Sequence, residues 1–62
     1  MIGHEKQEEL REIYKQRLKM EKQKWIAETT GINMSVLSRF KHRKIDLYDY
    51  LFVKLEKYLL GQ

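Results

Sequence analysis

The stretch from Gln23 to His42, QKWIAETTGINMSVLSRFKH, decides how this 62-residue chain is read. Trp25, Ile26 and Ala27 open a short amphipathic segment that stops at Gly31, the residue type that accepts a positive φ where a helix ends. Ile32 is apolar and Asn33 is a good N-cap. Val36, Leu37 and Phe40 then return at the spacings of one helix face. The pattern predicts two short helices around a tight turn. Ala27 suits the point where they cross, because a larger side chain would push the backbones apart; Ile26, Ile32, Leu37 and Phe40 are expected to fill the space around it.

This spacing resembles the helix-turn-helix of the phage repressor and Cro family, which includes many small bacterial regulators. The matching residues are Gln23 at the first position of the motif, Ile26 and Ala27 at the fourth and fifth, Gly31 and Ile32 at the ninth and tenth, Leu37 at the fifteenth and Phe40 at the eighteenth. Lys22 stands where the family usually has a Ser or Thr cap, Arg43 falls near a common glycine, and Met20 is about one position ahead of the usual apolar residue. The similarity extends over roughly residues 10 to 60. It implies an all-α, four- to five-helix, lambda-repressor-like DNA-binding domain, with residues 1–62 as one unit and the motif at 23–42.

The resemblance also implies which residues meet DNA. Family members place the first turn of the second motif helix against base edges, and here those positions are Asn33, Met34, Ser35, Ser38 and Arg39. Arg39 is the candidate for a bidentate contact to guanine, with Ser35 and Ser38 offering shorter, less selective hydrogen bonds. Met34 stands where relatives commonly carry glutamine and can only make apolar contact, such as with a thymine methyl. Gln23, read as capping the first motif helix, is expected on phosphate together with Lys22 and Lys24, and Lys41, Arg43 and Lys44 on the far side. The plainer alternatives are an Arg39 that is simply solvated and a Trp25 partly buried beside Ile26, the latter preferred over stacking on a sugar or base.

Length and composition fit such a module. The chain is one small domain whose core is limited enough that dimerisation would help it. It has no cysteine, hence neither a disulfide framework nor a thiolate metal site. His4 and His42 lack partners at metal-ligand spacing and read as surface histidines. No apolar run approaches the ~20 residues needed to cross a membrane, and the N-terminus MIGHEKQEEL lacks a signal-peptide core, which points to the cytoplasm.

The net charge is +4, and its placement says more than its size. Residues 5 to 12 hold four glutamates, read as a solvated helix face, whereas Lys15, Arg17, Lys19, Lys22 and Lys24 face only Glu21. Arg39, Lys41, Arg43 and Lys44 form a second cluster. Together they bracket the motif where phosphates would lie. Well-solvated lysine helices are the bland reading, and solvation does not explain clustering around one motif.

Leu10, Ile13, Tyr14, Arg17 and Leu18 follow a helical stripe, so a first helix is expected from about His4 to Lys19. Asp46 reads as an N-cap with Asp49 in the first turn of a last helix that runs to Gly61. Leu47, Leu51, Leu55, Tyr58 and Leu59 make its core stripe, and Tyr48 and Phe52 widen it. Val53 and Leu60 fall away from that stripe, which makes them, with Tyr50 at the rim, candidates for a homodimer interface; scattered surface hydrophobes are the competing reading.

No activated nucleophile, phosphate loop or catalytic pocket is apparent, and no cofactor is implied. The chain therefore reads as a non-enzyme: a regulator that occupies double-stranded DNA as a dimer. Two alternatives stand beside it, a small phage-type inhibitor or antirepressor that uses the same scaffold to bind a protein partner, and a DNA-bending recombination accessory factor.

Overall fold

The computed structural model describes residues 2–61, and these form four α-helices with no strand. Helix α1 spans His4–Arg17, α2 Gln23–Thr30, α3 Met34–Lys41 and α4 Asp49–Leu60. None is long and apolar enough to cross a membrane. The helices enclose one core of Leu10, Tyr14, Ile26, Ala27, Ile32, Leu37, Phe40, Leu47, Phe52, Leu55 and Leu59. The five residues expected around the α2–α3 turn are all in it.

Local chemistry sets most boundaries. Glu5 lies in the first turn of α1 and Lys15 and Arg17 in its last, each sign at the favourable end of the helix dipole. Helix α2 stops at Gly31, whose φ of 74° is left-handed and whose N–H donates to the carbonyl of Ala27 at 2.9 Å. Asn33 caps α3 by accepting the Ser35 N–H at 2.7 Å. At the far end of α3, Arg43 adopts a φ of 61°, a conformation that costs an L-residue about 1–2 kcal/mol. There the N–H of Arg43 donates to Phe40 at 3.1 Å and that of Lys44 to Arg39 at 2.9 Å. This is the double closure of a Schellman motif, with arginine in the position usually given to glycine.

The segment 42–48 between α3 and α4 is held by two buried polar residues of α1. Gln7 donates from Nε2 to the Leu47 carbonyl at 2.9 Å and accepts the Leu47 N–H at 3.1 Å, as a neighbouring strand would. Arg11, 1% exposed, donates to the Phe40 carbonyl at 2.6 Å, the Ile45 carbonyl at 3.0 Å and Asp46 Oδ1 at 3.0 Å, and also pairs with Glu8. Four of the five guanidinium N–H groups are therefore used.

Four expectations need correction here. Asp46 does not cap α4; its carboxylate is drawn to Arg11, and the helix starts at Asp49 behind an extended Tyr48 that makes no side-chain cap bond. Tyr48 does not widen the core, because the chain is not yet helical there and its ring is 72% exposed; Phe52 and Leu47 are buried instead. Glu8 is no solvated carboxylate, since it bridges Arg11 and Arg43. The first helix also ends earlier than expected, with the turn 18–20 closed by Lys19 and Met20 donating to the Gln16 and Arg17 carbonyls.

A second polar network ties α1 to α4. Arg17 donates to the Leu59 carbonyl at 2.6 Å and to Glu21 at 3.1 Å, while the Tyr58 hydroxyl donates to the other oxygen of Glu21. The Tyr58 bond holds the Glu21 carboxyl below its ordinary range, assisted by Arg17, and Glu21 in turn pushes the Tyr58 hydroxyl up.

Candidate nucleic-acid interface

Helix α3 is two turns long and has a clear division of faces. Leu37 and Phe40 are fully buried, which at 100° per residue turns Ser35, Ser38 and Arg39 outward. Ser35 and Arg39 are exposed, Met34 is 47% exposed, and Ser38 is half-buried. Asn33 is exposed too, but its side-chain oxygen is committed to the cap, so only its amide N–H groups face outward. His42, at the C-terminal end of the same face, is exposed as well. The five residues expected to read bases thus share one end or one side of α3, and His42 extends that surface.

The flanking cations fall into two groups according to whether they are already paired. Arg43 contacts Glu8 at 3.0 Å and Glu12 at 3.8 Å, Arg17 is held by Glu21, and Lys15 lies 3.6 Å from Glu12. Lys19, Lys22, Lys24, Arg39, Lys41 and Lys44 make no ion pair among the described residues. Lys19, Lys22 and Lys41 surround, with Glu21, a single crevice of about 410 Å³, and Lys41 also borders a second crevice of about 430 Å³ with Lys15, His42 and Arg43. Between Gln23 and Lys44 the only carboxylate is Glu28, which lines a separate hollow with Lys24, Asn33 and Met34.

Gln23 behaves differently from its expected role. Lys22, extended and without a side-chain bond, occupies the N-cap, while Gln23 is the first residue inside α2. Its side-chain oxygen accepts the Tyr14 hydroxyl at 3.1 Å, so the residue is half-buried and serves partly as an internal link. Tyr14 itself is fully buried, and burial pushes its hydroxyl up to about 12. Trp25 is the reverse case: it is 59% exposed rather than partly buried, because its position on α2 lies outside the arc defined by Ile26 and Ala27.

His42 is the exposed residue at this surface that the sequence reading leaves unassigned, whereas Lys15 and Lys19 belong to the basic cluster expected beside the motif. Lys15 and Lys19 sit four residues apart, which brings both to the end of α1 where α3 also terminates, and that spacing was the available signal. The dimer candidates Tyr50, Val53 and Leu60 are exposed at 63%, 41% and 47%. Val53 and Leu60 lie along one edge of α4, and Tyr50, one turn before Val53, stacks on Tyr48 with ring centroids 6.2 Å apart. No group of side chains among the described residues could hold a metal ion. No protein-family model matches the chain, and no curated protein or solved structure matches it.

Proposed function

We propose that the protein is a double-stranded DNA-binding regulator in which α2 and α3 act as a helix-turn-helix of the phage repressor and Cro kind. The carrying observation is the set of unpaired cations around the exposed face of α3, with Lys19, Lys22 and Lys41 converging on one crevice. The one carboxylate on that crevice, Glu21, is already engaged by Arg17 and Tyr58, so the three lysines outnumber it, and a polyanion relieves their mutual repulsion with release of condensed counterions. In this reading α3 lies in the major groove with Ser35, Ser38 and Arg39 toward base edges, and the lysines sit on the phosphates at either side. Regulation is by occupancy: bound to an inverted repeat as a dimer, the protein blocks or redirects polymerase in the cytoplasm, without an effector pocket.

A titration of ¹⁵N-labelled protein with duplex DNA tests this directly. Amide shifts should concentrate at residues 22–24 and 33–44, and leave the outer positions of α1 such as Glu5 and Glu9 unmoved. Shifts confined to Trp25, Tyr48 and Tyr50, or none at all, would refute it.

One observation favours a second reading. Tyr48 and Tyr50 are exposed at 72% and 63%, stacked with their planes 6° apart, beside a mainly apolar groove of about 330 Å³ lined by Val36, Ile45, Leu47 and Leu51 with Arg39 and Asp46. Exposed aromatics next to an apolar groove suit an inhibitor that docks on another protein.

A further inference from the structure

Two of the cations near the end of α3 are held by the same carboxylate. Glu12 Oε2 lies 3.6 Å from Lys15 Nζ on α1 and 3.8 Å from Arg43 Nη2 in the turn after α3. Both separations are longer than a hydrogen bond, and Glu12 is exposed. Glu8, the other carboxylate on Arg43, is of a different kind. It is half-buried, meets Arg43 at 3.0 Å through one oxygen and engages the buried Arg11 with the other. Glu8 thus belongs to the framework of the fold, whereas the cations paired with Glu12 are exposed or half-buried.

Lys15 and Arg43 line one crevice of about 430 Å³ with Lys41 and His42, and no carboxylate among the described residues lines it with them. The closure at the end of α3 fixes the backbone from which Arg43 extends, and Glu8 tethers its guanidinium independently of Glu12. Lys41 borders both this crevice and the one with Lys19 and Lys22, so the two make a continuous cationic tract from the start of α2 past the end of α3 to α1.

We infer that this crevice seats a backbone phosphate of duplex DNA, and that Glu12 stands in the place of the phosphate until the duplex displaces it. The inference rests on the DNA-binding reading and adds to it a defined seat and an internal competitor for that seat. A carboxylate and a phosphodiester each carry one negative charge and accept the same charge-assisted hydrogen bonds from guanidinium and ammonium groups. Glu12 holds its two cations at long range and in water, where such pairs contribute little. A phosphate in the crevice meets four donors instead, from Lys15, Lys41, Arg43 and a ring N–H of His42. The exchange favours the duplex, yet the displaced carboxylate stays at the rim and repels the strand. Glu12 therefore lowers affinity for every sequence alike, because it acts through phosphate and not through bases.

Fluorescence anisotropy with random duplex DNA over a series of salt concentrations tests the seat. Glu12→Gln should bind about threefold more tightly than wild type at fixed salt, and the fall of log affinity with log salt should steepen by about 1. Lys15→Ala should remove most of that gain when placed in the Glu12→Gln background. Glu56→Gln takes the same charge from the crevice between α1 and α4, and should stay within about 1.5-fold of wild type because salt screens distant charges. Neither carboxylate is buried, so both variants should keep the wild-type far-ultraviolet circular dichroism. Equal gains for Glu12→Gln and Glu56→Gln would mark a general effect of net charge and overturn the seat. A gain that survives Lys15→Ala, or a Glu12→Gln variant no tighter than wild type, would overturn it too. In those outcomes wild type still binds duplex and the DNA reading stands, whereas no binding by wild type or Glu12→Gln at low salt removes both.

Discussion

The guanidinium of Arg11 on α1 lies 4.5 Å above the ring of Phe40 and donates to the carbonyl of that same residue at 2.6 Å. One side chain thus fixes both the ring and the backbone at the point where α3 gives way to the segment 42–48. Removing it leaves the Ile45 carbonyl without its donor, the Phe40 carbonyl with only the Arg43 N–H, and Glu8 with only Arg43. Arg11→Ala is expected to cost about 3–5 kcal/mol, the range for breaking a buried ion pair. The whole stability expected at this size is about 3–9 kcal/mol. Urea unfolding should therefore show a variant that has lost a large part of its stability, and a loss under 1 kcal/mol would refute the role assigned to Arg11.

Gln7 makes a smaller but cleaner prediction. Gln7→Leu keeps the volume and deprives the Leu47 N–H and carbonyl of both partners, at a cost of about 1–3 kcal/mol. Hydrogen exchange should show the Leu47 amide losing protection ahead of α1 and α4. An amide that keeps its protection would mean the segment is held by something else.

Arg43 adopts a left-handed conformation, and substitutions there separate backbone strain from charge. Arg43→Gly and Arg43→Val remove the same pairs with Glu8 and Glu12, but only glycine is free of the Cβ penalty. The glycine variant should be the more stable by about 1–2 kcal/mol in thermal unfolding. Equal stabilities would show that the turn relaxes out of this geometry.

Alkaline pH should expose Tyr14. Its folded value of about 12 stands above the unfolded value of 10.0, so the folded state binds this proton more tightly. The resulting stability is intact below pH 10 and disappears as pH rises from 10 to about 12, for a loss of about 2 kcal/mol. Tyr14→Phe should flatten that limb of the stability profile. Glu21 acts at the other end with the opposite sign: its lowered value makes the link to Tyr58 and Arg17 present above the ordinary carboxylate range and lost as pH falls below it. A profile that is level between pH 10 and 12 would contradict the burial of Tyr14.

The boundaries of α2 and α3 were legible in the sequence because each depends on neighbours within a turn: Gly31 for the left-handed stop, Asn33 for the cap. The segment 42–48 was not, because its conformation is set by Gln7 and Arg11 across 29 to 40 residues of chain. Those two residues fall in helical register with Leu10 and Tyr14, and all four are buried. An apolar template skips polar members of such a stripe, which is why Asp46 read as a cap rather than as a partner of Arg11. The candidate interface was legible in part, since α3 does turn Ser35 and Arg39 outward. Which lysines are free and which are paired was hidden, because pairing depends on helix packing.

Single substitutions on α3 should separate reading from holding. Arg39→Ala is expected to cost about 1–3 kcal/mol on a preferred site and to relax preference at one base pair, whereas Lys41→Ala should weaken every duplex alike. Equal losses for Arg39→Ala on preferred and random duplex would remove it from the residues that read sequence.

The central claim is that unpaired cations around α3 hold a nucleic-acid backbone, and its most direct test is the salt dependence of binding to random duplex DNA, measured by fluorescence anisotropy. The logarithm of the affinity should fall linearly with the logarithm of salt concentration, and Lys22→Ala with Lys41→Ala should make the slope shallower by about 2. Binding that is absent at low salt, or whose slope is unchanged when Lys22 and Lys41 are removed, would contradict it.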